Sequence, residues 1–537
     1  MQLRRNLMSN ERLKRNQRHI IERIIIRGTL ILDTPTCLGN GDPDGPTDMM
    51  LVRDSISSHA LLTGTSVAGA LRNYVHEHEH GYRQDEQNNS LSTSLFGGIS
   101  EDDDGDQSPL IINDSISSQV PKIELRDGVK INSITRTVDP EARAKYDLEL
   151  LQAGTKFSLS LELLIEKEDR EITLIKVIGR ERPLLKTSSF HTFLFKWLAY
   201  RYKNKATLLK SLAIALQGLE RKQDQNCSED QKDLKSGEIS LGMKKRRGFG
   251  RCHVKEWQVW SFNLEDSGDR MAWLLFDREC TNKLPVITNK IADALGVVLD
   301  EKEDKRDRFT INATFTLASP LLIRSGQAAT GRAPDVVHLK SKRYGKDESV
   351  LSGTSLAGVL RHRAERIVNT LEKPTTIIDE IFGPDFSEDK TKEAKASRLI
   401  VHESVIKDTT DLVQTRIAID RFTGGAYHGA LFQEQPIFGK GDENLQLEIE
   451  LRNPEQHEIG LLLLLLKDLW TQDLPVGGSS SVGRGRLQGK EATLMWTKEQ
   501  KSWKIAQHDL SKNSLEITGS DRQDLENHVK KLVKYTK

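Results

Sequence analysis

Two stretches of the chain alternate apolar and polar positions in the same way. Residues 24–32, Ile-Ile-Ile-Arg-Gly-Thr-Leu-Ile-Leu, and 310–317, Thr-Ile-Asn-Ala-Thr-Phe-Thr-Leu, carry the period-2 pattern of half-buried strands, each followed by a proline, Pro35 and Pro320. Each strand leads through a Gly/Pro/Asp-rich loop into a helical pattern opening at Gly-Thr-Ser. Val67, Ala70, Leu71 and Tyr74 fall at helical spacing there, with Ser66 and Ser355 expected as N-caps. A second helix is predicted from Asn453, which caps, with Pro454 in the first turn and Gln456 completing a capping box. The leucine run 461–466 behind it reads as core. Strand, helix, strands, helix, strand is the split β-α-β order of an α+β fold.

The pattern is duplicated. Gly64-Thr65-Ser66-Val67-Ala68-Gly69-Ala70-Leu71-Arg72 returns as Gly353-Thr354-Ser355-Leu356-Ala357-Gly358-Val359-Leu360-Arg361, an offset of 353 − 64 = 289. Asp48 and Asp335 each precede their own Gly-Thr-Ser. Leu95-Phe96-Gly97 answers Ile381-Phe382-Gly383, Ile134-Thr135-Arg136 answers Ile419-Asp420-Arg421, and Glu149 and Gly154 answer Glu434 and Gly439 at 285. Finally Gly248-Phe249-Gly250-Arg251 answers Gly483-Arg484-Gly485-Arg486 at 483 − 248 = 235. One Gly-Thr-Ser is worthless as evidence, but an ordered series of features implies two fused copies of one domain. The drop of 285 − 235 = 50 places extra sequence in the first copy, around 203–237. The expected organisation is a first domain at 20–260, a linker at 261–305, a second domain at 306–490 and a polar extension at 491–537.

Composition narrows the function classes. With 36% hydrophobic and 29% charged residues, the 537-residue chain has the profile of a soluble globular protein. Its densest apolar run is far below the ~18 residues that suggest a bilayer span. Arg4, Arg5 and Arg12 precede Ile20 without the apolar core of a secretory signal, so the cytoplasm is the default compartment, with no membrane partner. Lys plus Arg number 79 against 78 acids, so the distribution of charge must decide about nucleic acid. Cys37, Cys227, Cys252 and Cys280 form no C-x-x-C pair and read as buried reduced thiols. His76 and His80 sit i,i+4, but lack a counterpart in the second copy and read as a solvated helix end.

Four features carry candidate chemistry. Gly64, Thr65, Ser66 and Gly353, Thr354, Ser355 at helix starts suit a phosphate, and a plain cap explains them equally. Lys244, Lys245, Arg246, Arg247 and Arg251, with Arg484 and Arg486 in the second copy, join cations to glycines that admit a nucleic-acid backbone; the alternative is a flexible solvated loop. The segments 134–154 and 419–439 carry Arg136, Arg143, Tyr146, Arg421, Tyr427 and Phe432, fitting either a hairpin that wedges between single-stranded bases or an ordinary one. Asp48 and Asp335 suit an Asx-turn, or a carboxylate that holds a divalent cation beside a phosphodiester or accepts a proton from the attacking hydroxyl.

These motifs together, with Ile-Asp-Arg-Phe-Thr-Gly-Gly-Ala at 419–426 and the terminal Gly-x-Gly-Arg, resemble the RAMP superfamily of CRISPR proteins, and within it the backbone subunits of type III effectors. Two domains in one chain are similar to the double-backbone fusion subunits of type III-D systems. The resemblance implies two tandem ferredoxin-like (RRM-type) domains, each with a projecting thumb hairpin, at 134–149 and 419–434, and a Gly-rich loop. It implies guide RNA, complementary target RNA and the other backbone and large subunits as partners. Arg72, Arg361 and the cations above are then RNA-binding, and target RNA is cut by a metal-dependent endoribonuclease activity at Asp48 and Asp335 with a divalent cation, Mg or Mn. The first copy has Thr135 where the second has Asp420, and the Asp42 and Asp44 beside Asp48 give way to Arg332 beside Asp335, so one of the two sites is open to being inactive. The alternatives are a non-catalytic RNA-binding scaffold and a precursor guide-RNA processing endoribonuclease.

Overall fold

The computed structural model describes residues 19–41, 47–87, 90–98, 107–129, 145–167, 205–221, 236–277, 283–325, 334–386, 391–441, 444–507 and 515–536. Asp42, Asp44, Arg136, Arg143, Arg332, Cys227 and Cys280, and most of the hairpin expected at 134–149, lie outside the described residues.

The first copy runs β1 (Ile20–Leu32), α1 (Gly64–His80), β2 (Leu110–Ile112), β3 (Ile123–Val129), β4 (Lys145–Leu151), β5 (Lys156–Glu166), α2 (Lys205–Gln217), β6 (Cys252–Asn263) and β7 (Val286–Thr288). The second runs β8 (Arg308–Leu317), α3 (Gly353–Thr370), β9 (Leu399–Val401), β10 (Gln414–Arg416), β11 (Phe432–Gln435), β12 (Leu445–Arg452), α4 (Gln456–Trp470), β13 (Leu487–Trp496), β14 (Lys501–Ala506), β15 (Glu516–Gly519) and α5 (Arg522–Lys534). The sheets are ordered β2-β5-β1-β6-β7 and β9-β12-β8-β13-β14-β15. Four core strands recur in the same order, all antiparallel, with one helix after the first strand and one before the last. This is the split β-α-β topology expected of a ferredoxin-like α+β domain, built twice.

Alternation explains the packing. On β8, Phe309, Ile311, Ala313 and Phe315 are buried and contribute to one core with Leu356 and Leu360 of α3 and Ile459, Leu462, Leu465 and Leu469 of α4. Each of these side chains other than Ala313 contributes about 1.5–3 kcal/mol by leaving water. Bulges in β1 near Gly28 and in β8 near Phe315 fall at matching places, so even the irregularities are duplicated.

Several sequence expectations are corrected. The first-helix caps are Thr63 and Ser352, whose hydroxyls accept from Ser66 N and Ser355 N at 3.3 Å, so Ser66 and Ser355 lie one turn inside the helix. The capping box of α4 is formed by Glu455 and Glu458 rather than Asn453 and Gln456, because the extended residue is Glu455. Residues 261–305 are no linker: β7 pairs with β6, and Ile291 is fully buried in the first core. The polar extension is part of the second domain, since β14 pairs with β13 and buries Trp503, and α5 packs on α4 through Leu525 and Leu532. The boundary at 490/491 cuts through β13. Finally α2, with Leu208 and Leu212 in the core, is the counterpart of α4, so it is not insertion, and the extra sequence flanks it on both sides.

Candidate nucleic-acid interface

Asp48 and Asp335 are held in the same way. Asp48 Oδ2 accepts a 2.8 Å hydrogen bond from the backbone N–H of Asp147, and Asp335 Oδ2 accepts one of 2.8 Å from Gln433 N. The next residue pairs in parallel in each copy, Met49 with Leu148 and Val336 with Glu434. Both carboxylates are exposed at the base of a two-stranded ribbon, β3–β4 in the first copy and β10–β11 in the second. The sequence alignment that paired Glu149 with Glu434 is one residue out here: Leu148 is the residue that takes Glu434's place.

The Gly-rich segments take the same turn in both copies. In each copy a left-handed residue, Lys244 (φ 54°) or Ser479 (φ 60°), opens one 3-10 turn that a left-handed glycine closes, Gly248 (φ 87°) or Gly483 (φ 86°). Gly250 N then donates to Pro35 O and Gly485 N to Pro320 O, tying the turn to the end of the first strand. Lys244 Nζ lies 3.7 Å from the centre of the Tyr146 ring, which brings the first copy's loop to its ribbon beside Asp48.

The cations fall into two groups. Lys244, Lys245, Arg246 and Arg247 make no ion pair among the described residues. Burial, reinforced by the Arg452 charge and opposed by that of Glu77, pushes the Arg246 guanidinium down to about 10. Arg247 nevertheless donates to Leu399 O at 3.1 Å, and the other predicted cations are engaged as well. Arg72 binds Glu86 and Gly98 O, and Arg361 binds Glu365, Asp379 and Gly383 O, so this repeated arginine ties α1 or α3 to the segment that follows it. Arg251 pairs with Glu448 at 2.7 Å, Arg484 is buried against Glu434 at 2.9 Å, and Arg486 donates to Gln472 O at 2.6 Å.

The helix starts also differ from expectation. A Cβ on Gly64 would meet Ile112 O at 2.3 Å and one on Gly353 would meet Val401 O at 2.3 Å, so these glycines are required for close packing. Gly64 N already donates to Asp114 Oδ1 at 2.7 Å, which leaves a phosphate only the exposed Thr65 and Ser66 in that copy. Thr354 and Ser355 are half-buried.

In the second copy the turn beyond β10–β11 is exposed from residue 421 to residue 429. Asp420 turns it, its Oδ1 accepting from Phe422 N at 2.9 Å and its carbonyl from Gly424 N at 2.9 Å, which accounts for the acid in that motif as an Asx-turn. Phe422 at the tip is 99% exposed, and Arg421 and Tyr427 are exposed beside it. Cys37 and Cys252 are buried, the Cys37 thiol pushed up to about 11 by burial. The His76 and His80 rings lie 5.2 Å apart, tilted by 43°, and among the described residues no group of three or more His, Cys, Asp or Glu gathers into a metal site.

The sequence reading missed the junction between copies. Arg126 on β3 pairs with Glu124 at 2.6 Å and with Glu403, which Arg343 also reaches at 2.7 Å, all buried or nearly so. Tyr344 donates to Asp33 at 2.9 Å, and His253 bonds the same carboxylate. Arg126 and Glu403 lie 277 residues apart, and no local pattern marks them.

The model of the RAMP superfamily matches residues 29–253 and 314–488, most of both copies. No curated protein matches the chain.

Proposed function

Because the chain belongs to the RAMP superfamily, whose members have a CRISPR-associated RNA-binding role, we propose that it is a double-backbone subunit of a type III effector, of the type III-D kind. In this reading it binds guide RNA and cuts guide-paired target RNA at Asp48 and Asp335. The observation that carries the reading is the identical setting of the two aspartates, each exposed and each fixed by a 2.8 Å bond from a ribbon-base N–H. The Lys244–Arg247 cluster grips phosphates, base pairing supplies sequence, and the hairpin bearing Arg421 and Phe422 acts as the thumb that stacks on and displaces a nucleotide.

The donor set at each site suits a cation such as Mg²⁺, which keeps several waters and takes one or two carboxylates together with substrate phosphate. Asp48 and Asp335 would hold it, and it would neutralise charge on the scissile phosphate. The chain's own part is positional and basic. The N–H groups of Asp147 and Gln433 fix one carboxylate oxygen, and the aspartate accepts the proton of a ribose 2′-OH that the displaced nucleotide leaves aligned with its own phosphate.

The test is cleavage of labelled complementary RNA by the assembled complex, with and without chelator. Asp48→Asn and Asp335→Asn retain an oxygen for the N–H and lose the charge, and each is expected to slow its own cut by about 10²–10⁴-fold with RNA binding kept. The same hydrogen bond favours a second reading, in which the aspartates only anchor the ribbon of a non-catalytic scaffold; unchanged cutting in both variants would establish that one.

A further inference from the structure

The RNA reading gives no part to the His76/His80 pair in the last turns of α1, and the pair is not the solvated helix end expected of it. Both residues are partly buried, and one ring nitrogen of each, His76 Nδ1 and His80 Nε2, is buried without a hydrogen-bond partner. Buried polar atoms are ordinarily paired, so two orphans one turn apart call for a ligand that the chain does not supply.

The geometry narrows what that ligand is. His76 Nε2 lies 2.8 Å from Gln84 O, and a carbonyl only accepts, so Nε2 carries the proton and Nδ1 keeps its lone pair. A metal-binding histidine is oriented in this way, one nitrogen donating to a backbone oxygen while the other ligates. The two rings share a helix face at i,i+4, with centres 5.2 Å apart. On a tetrahedral ion with metal–nitrogen bonds of about 2.0–2.1 Å, two imidazoles whose nitrogens lie about 1.1 Å from the ring centres hold those centres about 5 Å apart. Glu79 Oε2, 3.4 Å from His80 Nε2, adds negative charge beside the pair. The second copy has Glu365 and Asn369 at these positions (365 − 76 = 289, 369 − 80 = 289), and its Glu365 is engaged with Arg361 and His362.

We propose that His76 and His80 form a two-histidine site, completed by water, for a late first-row divalent cation: Zn²⁺, Ni²⁺ or Cu²⁺. Imidazole suits these ions, whereas Mg²⁺ takes oxygen ligands. The ion ties together successive turns at the end of α1, where that helix meets the start of the second copy: Lys305 N donates to His78 O at 2.9 Å and Asn453 Nδ2 to Tyr82 O at 2.9 Å. The site braces the junction and needs no RNA, so its fate is separable from that of the RNA reading.

The experiment is equilibrium dialysis of the RNA-free full chain against Zn²⁺ with Mg²⁺ in excess. Saturable Zn²⁺ binding is expected, weakened by at least about tenfold in both His76→Ala and His80→Ala. Zn²⁺ should raise the thermal unfolding temperature of the wild type and leave that of the two variants unmoved. Should either variant fail to fold, electron paramagnetic resonance of the Cu²⁺-loaded wild type decides, with coupling to two imidazole nitrogens expected. No saturable binding, binding untouched by either substitution, or a Cu²⁺ spectrum with fewer than two nitrogens overturns the proposal and leaves the two ring atoms to buried water.

Discussion

The two glycine loops share a backbone and differ in almost everything else. Gly248 and Gly483 have φ of 87° and 86°, yet the first is buried against Glu403 and the second stands in the open. In the first copy the loop carries four cations and enters the neighbouring domain; in the second it carries three serines and Val482. The duplicated element is therefore a fold of the main chain, and its side chains follow what lies across from it. The same holds for the aspartates, which keep one hydrogen bond while their neighbours diverge from Asp147 to Gln433.

The comparison is broken most forcefully at the aspartates: if only one of Asp48→Asn and Asp335→Asn removes a cut by the expected 10²–10⁴-fold, equal geometry does not mean equal chemistry. Next is the junction. Glu403→Ala leaves Arg126 and Arg343 without their shared carboxylate and should cost about 3–5 kcal/mol in urea unfolding, whereas Asp114→Ala at the equivalent outer position should cost about 1 kcal/mol.

Acid offers a third probe. Burial pushes His402 and His338 down to about 4, so both are neutral in the fold. The unfolded chain takes up these protons first, so stability is full above about pH 6.5 and falls as pH drops toward 4, by on the order of 3 kcal/mol per histidine. Both lie in the second copy, at positions held by Asn113 and Leu51 in the first, and His402→Asn should flatten the melting-temperature profile in that window. Gly248→Ala against Gly483→Ala is subtler: both strain a left-handed residue by about 1–2 kcal/mol, and only the first adds a backbone clash, so its thermal shift should be the larger. Smallest for the fold is Phe422→Ala, within about 0.5 kcal/mol of wild type by unfolding, while single-stranded RNA binding should lose about 1–3 kcal/mol if the ring stacks on a base.

Much of this was legible in the sequence because it is local. Alternation in β1 and β8 and glycines wherever the backbone crowds itself are written within a few residues, as is the spacing from Asp to Gly-Thr-Ser. The caps were misplaced by one turn because Thr63 and Ser352 are as polar as the serines three positions on. β14 was hidden because Lys501, Ser502 and Lys504 surround Trp503 and Ile505 in a strand of six residues, too short for its alternation to stand out. Nothing in the chain announced that Arg72 and Arg361 would serve the fold, because an arginine spent on a neighbouring carbonyl reads the same as one held out for phosphate.

The passage from one copy to the next is itself clamped. Arg306 is buried with Asp304 at 2.6 Å and Glu238 at 2.9 Å, and Arg308 reaches Glu238 at 3.1 Å. The interval from Asp48 to Asp335 is thus cast into a single translation product. Any strand lying across both carboxylates is measured against a gauge whose length no change in subunit supply can alter.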